Sequence, residues 1–136
     1  MRKFIMTCFI FTNITLSGSV FAASEIIEWQ DGKIASGSKV SINLDKLEND
    51  TAYNLECLLA IDDVGHKGKN DIKVITNSKA HVFVNGIDTE VNSYVTLMYP
   101  VNGLTAKNIK KDAIISIYNL DLFNVINVYR CTATPA

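Results

Sequence analysis

Three sets of residues in this 136-residue chain have the types and spacing to do chemistry. Asp62, Asp63, His66 and Asp71 fall within one short stretch. Carboxylate oxygens gathered on a loop can hold Ca²⁺, and an imidazole among them widens the choice to a transition metal. The spacing does not follow an EF-hand, and Lys67 and Lys69 offset the negative charge. The stretch is therefore read first as a solvated loop open to a partner, with metal ligation as the alternative. Trp29, Tyr94, Tyr99 and Tyr118 form a candidate recognition surface, because such side chains combine a large contact area with a polar tip; core and cross-strand packing is their competing use.

The third set is the cysteines, whose chemistry depends on the compartment. Arg2 and Lys3 are followed by an apolar stretch over residues 4–16, and Val20 and Ala22 stand at −3 and −1 of a cut before Ala23. Residues 1–22 thus read as a cleaved secretory signal peptide, shorter than the roughly 20 apolar residues of a membrane span. Cys8 lies too early in that stretch for a lipoprotein signal. Residues 23–136 then form a single domain destined for the periplasm, the medium or the cell surface. Its two cysteines, Cys57 and Cys131, are each other's only partner in an oxidising compartment, so a disulfide is expected.

Catalytic signatures are missing from the sequence. It has no G-x-S-x-G, no H-E-x-x-H and no glycine-rich phosphate loop. His81 alternates with Phe83 on the expected outer face of a strand, a surface or cross-strand position. No cofactor and no enzymatic activity are expected. After loss of the leader, 11 Lys and Arg face 14 Asp and Glu, which gives no attraction to nucleic acid or anionic lipid.

The elements that must position these residues are strands. Val and Ile number 23 in residues 23–136 against 9 Leu, and apolar residues recur at period two. Residues 38–44 alternate cleanly, as do Tyr53, Leu55, Cys57, Leu59 and Ile61, so Cys57 should point inward. Further strands are expected near residues 72–76, 80–84, 91–98, 113–118 and 125–132, with residues 26–29 as an edge and one helical turn within 45–50. Asn85-Gly86 suits a type I′ hairpin whose returning strand is residues 91–98, and Pro100 ends that strand. Residues 101–111 read as a loop with a lysine surface. The last strand poses a conflict: Cys131 wants the core, yet Ile126 and Val128 of opposite parity are the more apolar pair. A bulge, or burial of both faces, would resolve it. The twelve asparagines of residues 23–136 suit turns and exposed strand faces.

Seven to eight short strands with turn signals between them predict an all-β antiparallel sandwich, or a small barrel, stapled by one disulfide. In general plan the chain resembles the small exported single-disulfide β-sandwiches of bacteria, a group holding adhesins, pilus subunits, inhibitors and toxin-binding subunits. That likeness is architectural and leaves function to the site. The first expectation is a non-catalytic binding or interaction module whose partner is a protein or a surface glycan, without membrane insertion and with its oligomeric state open. The alternatives are a fibre subunit or adhesin assembled by strand addition, and a small enzyme using Asp62, Asp63 and His66.

Overall fold

The computed structural model describes residues 26–62, 68–90 and 93–136. The leader expected over residues 1–22, and Asp63 and His66 of the acidic set, lie outside the described residues. Ten strands follow in order: β1 (Ile27–Ile34), β2 (Lys39–Ser41), β3 (Tyr53–Asp62), β4 (Lys69–Thr76), β5 (Val82–Val84), β6 (Ile87–Thr89), β7 (Ser93–Met98), β8 (Val101–Ile109), β9 (Ile115–Asn119) and β10 (Val125–Pro135). They form two antiparallel sheets, one of four strands in the order β2-β9-β4-β7 and one of six in the order β1-β10-β3-β8-β5-β6. Among the described residues there is no helix, and hence none long and apolar enough to cross a membrane.

Alternation places the core between the sheets. Tyr53, Leu55, Cys57, Leu59 and Ile61 of β3 are buried, and Ile72 and Val74 of β4 and Ile115 and Ile117 of β9 are buried likewise in the other sheet. Residues that are polar in the sequence at the intervening positions face outward, as a two-layer sandwich requires.

The conflict on the last strand is resolved by a bulge. β10 pairs with β3 in one register up to Tyr129 opposite Leu58 and in a shifted register from Thr132 opposite Glu56. The extra residue lets Ile126 and Val128 face inward before it and Cys131 and Ala133 after it. Arg130 takes a φ of 54° there, and Gln30 on β1, between the paired positions 29 and 31, takes a φ of 84°. Both strands change parity together, so β1 follows β10 without a slip. Cys57 and Cys131 meet across the bulge with Cα atoms 4.0 Å apart, closing the disulfide expected from the sequence. The crosslink spans 74 positions. In the chain-entropy picture it restricts the unfolded chain by about 4 kcal/mol.

The strand count exceeds the expected seven to eight, for two reasons. Asn85-Gly86 does form the tight turn, with φ of 52° and 79°, but the returning strand is β6, which stays in the same sheet. The segment from Ser93 onward crosses to the other sheet as β7, pairing with β4. Secondly, residues 101–109 are not a loop but β8, lying between β3 and β5. Asn102-Gly103 has the composition of a turn, yet the Asn102 side chain is consumed inside. Its Nδ2 donates to Met98 O at 2.8 Å and its Oδ1 accepts Met98 N at 3.0 Å, with Asn85 Nδ2 donating to the same oxygen at 2.8 Å. Residues 45–50 form turns without a helical one.

A clamped loop at one end of the sandwich

Antiparallel order sends the connections alternately to two ends. At one end lie residues 35–38, the end of β3 at Asp62 and the start of β4 at Lys69, the cis Tyr99–Pro100 corner and residues 120–124 between β9 and β10. Register confirms that they share this end, since Asp62 is opposite Val125, Val101 opposite Ala60, and Met98 opposite Lys69.

Residues 120–124 are the most elaborately built of these connections. Asn119, fully buried, donates through Nδ2 to Ile34 O at 3.0 Å and to Asn124 O at 2.8 Å. Its Oδ1 accepts from Asn70 Nδ2 and from the backbone N–H of Asp121, both at 3.0 Å. Asn124, also buried, donates to Lys69 O at 3.2 Å. Asp121 turns its carboxylate back on its own chain, with Oδ2 accepting from Phe123 N at 2.8 Å and Asn124 N at 2.7 Å. The Ser36 hydroxyl donates to Asp121 O, and Leu120 N donates to Asp71 O at 3.0 Å. Side-chain amides are used because one can supply donors and acceptors to several strands at once, and buried polar groups need such partners.

The consequence is an exposed apolar pair on a rigid base. Leu122 is 79% exposed and Phe123 58%. Met98, Tyr99 and Val101 add exposed apolar surface at the same end. A recess of about 530 Å³ opens beside the loop, lined among others by Lys69, Asp71, Thr96 and Leu122. The Thr96 hydroxyl donates to Asp71 Oδ1 at 2.6 Å within it. A single exposed leucine is ordinary, but Leu122 and Phe123 with Met98, Tyr99 and Val101 gather apolar surface at one end, the kind of feature that marks a candidate contact surface.

Of the acidic set, Asp62 ends β3 on the six-stranded sheet, whereas Asp71 stands on the outer face of β4 in the other sheet. Both reach the clamped end, and no group of three or more potential metal ligands assembles among the described residues. The aromatic set divides. Tyr99 lies at the clamped end, and Tyr94 and Tyr118 project from the outer face of the four-stranded sheet. Trp29 stays apart on β1, half-buried against the core, with its indole N–H donated to Asn43 O. His81 pairs across the β5–β6 hairpin with Asp88 at 2.5 Å and stacks on Phe83 with centroids 5.1 Å apart.

Sequence reasoning missed Leu122, Phe123 and the asparagine clamp beneath them. The expectation that asparagines serve turns and exposed faces fails for Asn70, Asn102, Asn119 and Asn124, each at most 2% exposed. A usable signal was present: Asn119, Asp121 and Asn124, all turn-capping types, flank two large apolar residues that no strand alternation claims. Comparison with protein-family models gives no match, and comparisons with curated proteins and with solved structures give none either.

Proposed function

We propose that this protein is an exported, non-catalytic binding module that holds a protein partner at its clamped end. The observation that carries this is the exposed Leu122-Phe123 pair on a loop fixed by buried amides. A loop already ordered in the free protein loses little further entropy on association, and apolar side chains central to an interface supply most of its energy. The Cys57–Cys131 disulfide is compatible with the oxidising destination that the leader implies. The segment that would have to leave the fold as a donor strand, β1, is instead paired along β10 from Ile27 to Ile34, which favours a self-contained module over a fibre subunit.

The test places a photo-crosslinking residue at position 122 in exporting cells, identifies the captured chain, and titrates that chain against the purified protein. Leu122→Asp should weaken the interaction about a hundredfold, as for a central apolar contact, while leaving the unfolding midpoint unchanged. Undiminished affinity of Leu122→Asp would move the interface away from this end. Native mass of the exported protein adds the compartment: loss of residues 1–22 and of two thiol protons is expected.

A further inference from the structure

A second surface, distinct from the loop, is built by register on the outer face of the four-stranded sheet. Tyr94 on β7 is opposite Lys73 on β4, Lys73 is opposite Tyr118 on β9, and Tyr118 is opposite Lys39 on β2. The four residues make one row across all four strands, alternating ring and cation. Lys73 Nζ sits 5.4 Å from the Tyr94 ring centroid, and that ring is 69% exposed. Neither lysine is within ion-pair distance of a carboxylate among the described residues. Lys39 and Lys73 thus bring two cations without a carboxylate partner to one face.

One flanking row carries Ser41 and the buried Ser116, hydrogen-bonded to each other at 2.7 Å, and the other carries Thr96, whose hydroxyl is bonded to the Asp71 carboxylate. The row itself therefore offers rings for stacking with cations at intervals. Like residues in the row recur every second strand, about 10 Å apart at the usual strand spacing. An extended polysaccharide has a disaccharide repeat of similar length.

We propose that this row binds an acidic polysaccharide carrying one carboxylate per disaccharide, laid across the strands. Its carboxylates meet Lys39 and Lys73, and the apolar faces of its sugar rings stack on Tyr118 and Tyr94. Charge complementarity selects this occupant. A neutral glycan would leave both lysines unused, and a nucleic acid, with a phosphate at every residue, would call for a denser row of cations. This surface adds a glycan to the protein partner proposed for the loop and does not depend on it.

The probe is a hyaluronan octasaccharide titrated calorimetrically into the purified protein at low salt, with a chitin oligosaccharide, polyphosphate and single-stranded DNA as comparisons. Saturable binding of hyaluronan that weakens with salt is expected, with little binding of the other three. Lys39→Ala with Lys73→Ala should weaken it about tenfold, since exposed charge pairs contribute modestly each. Tyr94→Ala should cost about fivefold through lost stacking. Leu122→Asp should bind hyaluronan as the parent does. All of these side chains are at the surface, and an unchanged circular dichroism spectrum confirms that each variant is folded. Absent binding, an unaffected double lysine variant, or equal binding of polyphosphate or DNA would each overturn the proposal.

Discussion

The two ends of the sandwich solve the same problem with the same residue type and arrive at different surfaces. At the clamped end Asn119 ties the β9–β10 loop to β1 and β4. At the opposite end Asn77 ties the β4–β5 turn to the β8–β9 turn, with Oδ1 accepting from Lys79 N and Ile114 N and Nδ2 donating to Asp112 O, all at 3.1 Å. The bond patterns are nearly alike. Burial separates them, since Asn119 is fully enclosed whereas Asn77 is half-exposed and water can replace its partners. One end therefore has a turn locked in a dry network with apolar residues outside it. The other has turns edged by Lys79, Lys110, Lys111 and Asp112, whose side chains stay hydrated. What sets the clamped end apart, and carries the proposed function, is the enclosed network beneath the exposed pair rather than exposure alone.

Asn119→Ala should break the contrast with the largest effect. It removes the bonds to Ile34 O, Asn124 O and Asp121 N and one partner of Asn70, whose Oδ1 has none. Several buried groups left unsatisfied correspond to a loss of about 2–4 kcal/mol, readable from urea unfolding. Amide exchange of residues 121–124 should accelerate even under conditions where the sheets remain protected. Slow exchange there in the variant would mean that Asp121 alone shapes the loop.

Why the partners of the clamp could not be read from the sequence follows from where its bonds go. Asn119 Nδ2 reaches a carbonyl 85 positions away, and Asn124 reaches one 55 positions away. Local pattern reports only whether a residue is polar, so a polar amide at the base of a loop reads as solvated. Strands were legible because their signal is local: alternation over β3 gave the inward face, and the parity conflict between Val128 and Cys131 left a bulge or burial of both faces, of which the structure takes the bulge. Asn102-Gly103 failed for the reason Asn119 did. A turn-forming pair was placed inside a strand because the amide found its partners on the β7–β8 corner. Likewise Tyr94 and Tyr118 were chosen as a surface by type, but their alternation with Lys73 and Lys39 exists only through strand register.

Asn77→Ala sharpens the comparison from the other side. Three side-chain bonds are lost against four at Asn119, and water can reach the freed groups, so the cost should be about 0.5–1 kcal/mol. The decisive quantity is the difference between the two variants. Equal losses at Asn77 and Asn119 would show that the bonds themselves, rather than their enclosure, set the cost, and the contrast between the ends would fail.

The smallest effect is expected at the ion pair of Lys79 and Asp112, where both side chains are more than half exposed. The hydrogen bond from Lys79, joined by its charge, holds the Asp112 carboxyl below its ordinary value of 3.8 against an opposing desolvation. A folded-state value below the unfolded one means that the pair's contribution is present above about pH 4 and is lost as pH falls through the depressed value. Solvent screens the pair, so Lys79→Ala should leave the neutral-pH unfolding midpoint within error. What should change is the titration itself, with the Asp112 carboxyl resonance moving its midpoint upward toward 3.8 in the variant. An Asp112 midpoint that ignores Lys79 would place the cause in Lys110 or the local backbone, the smaller influences on this carboxyl. A fall in acid stability comparable to that of Asn119→Ala would instead mean that the charged end, too, is held by enclosed bonds, and the contrast between the ends would collapse.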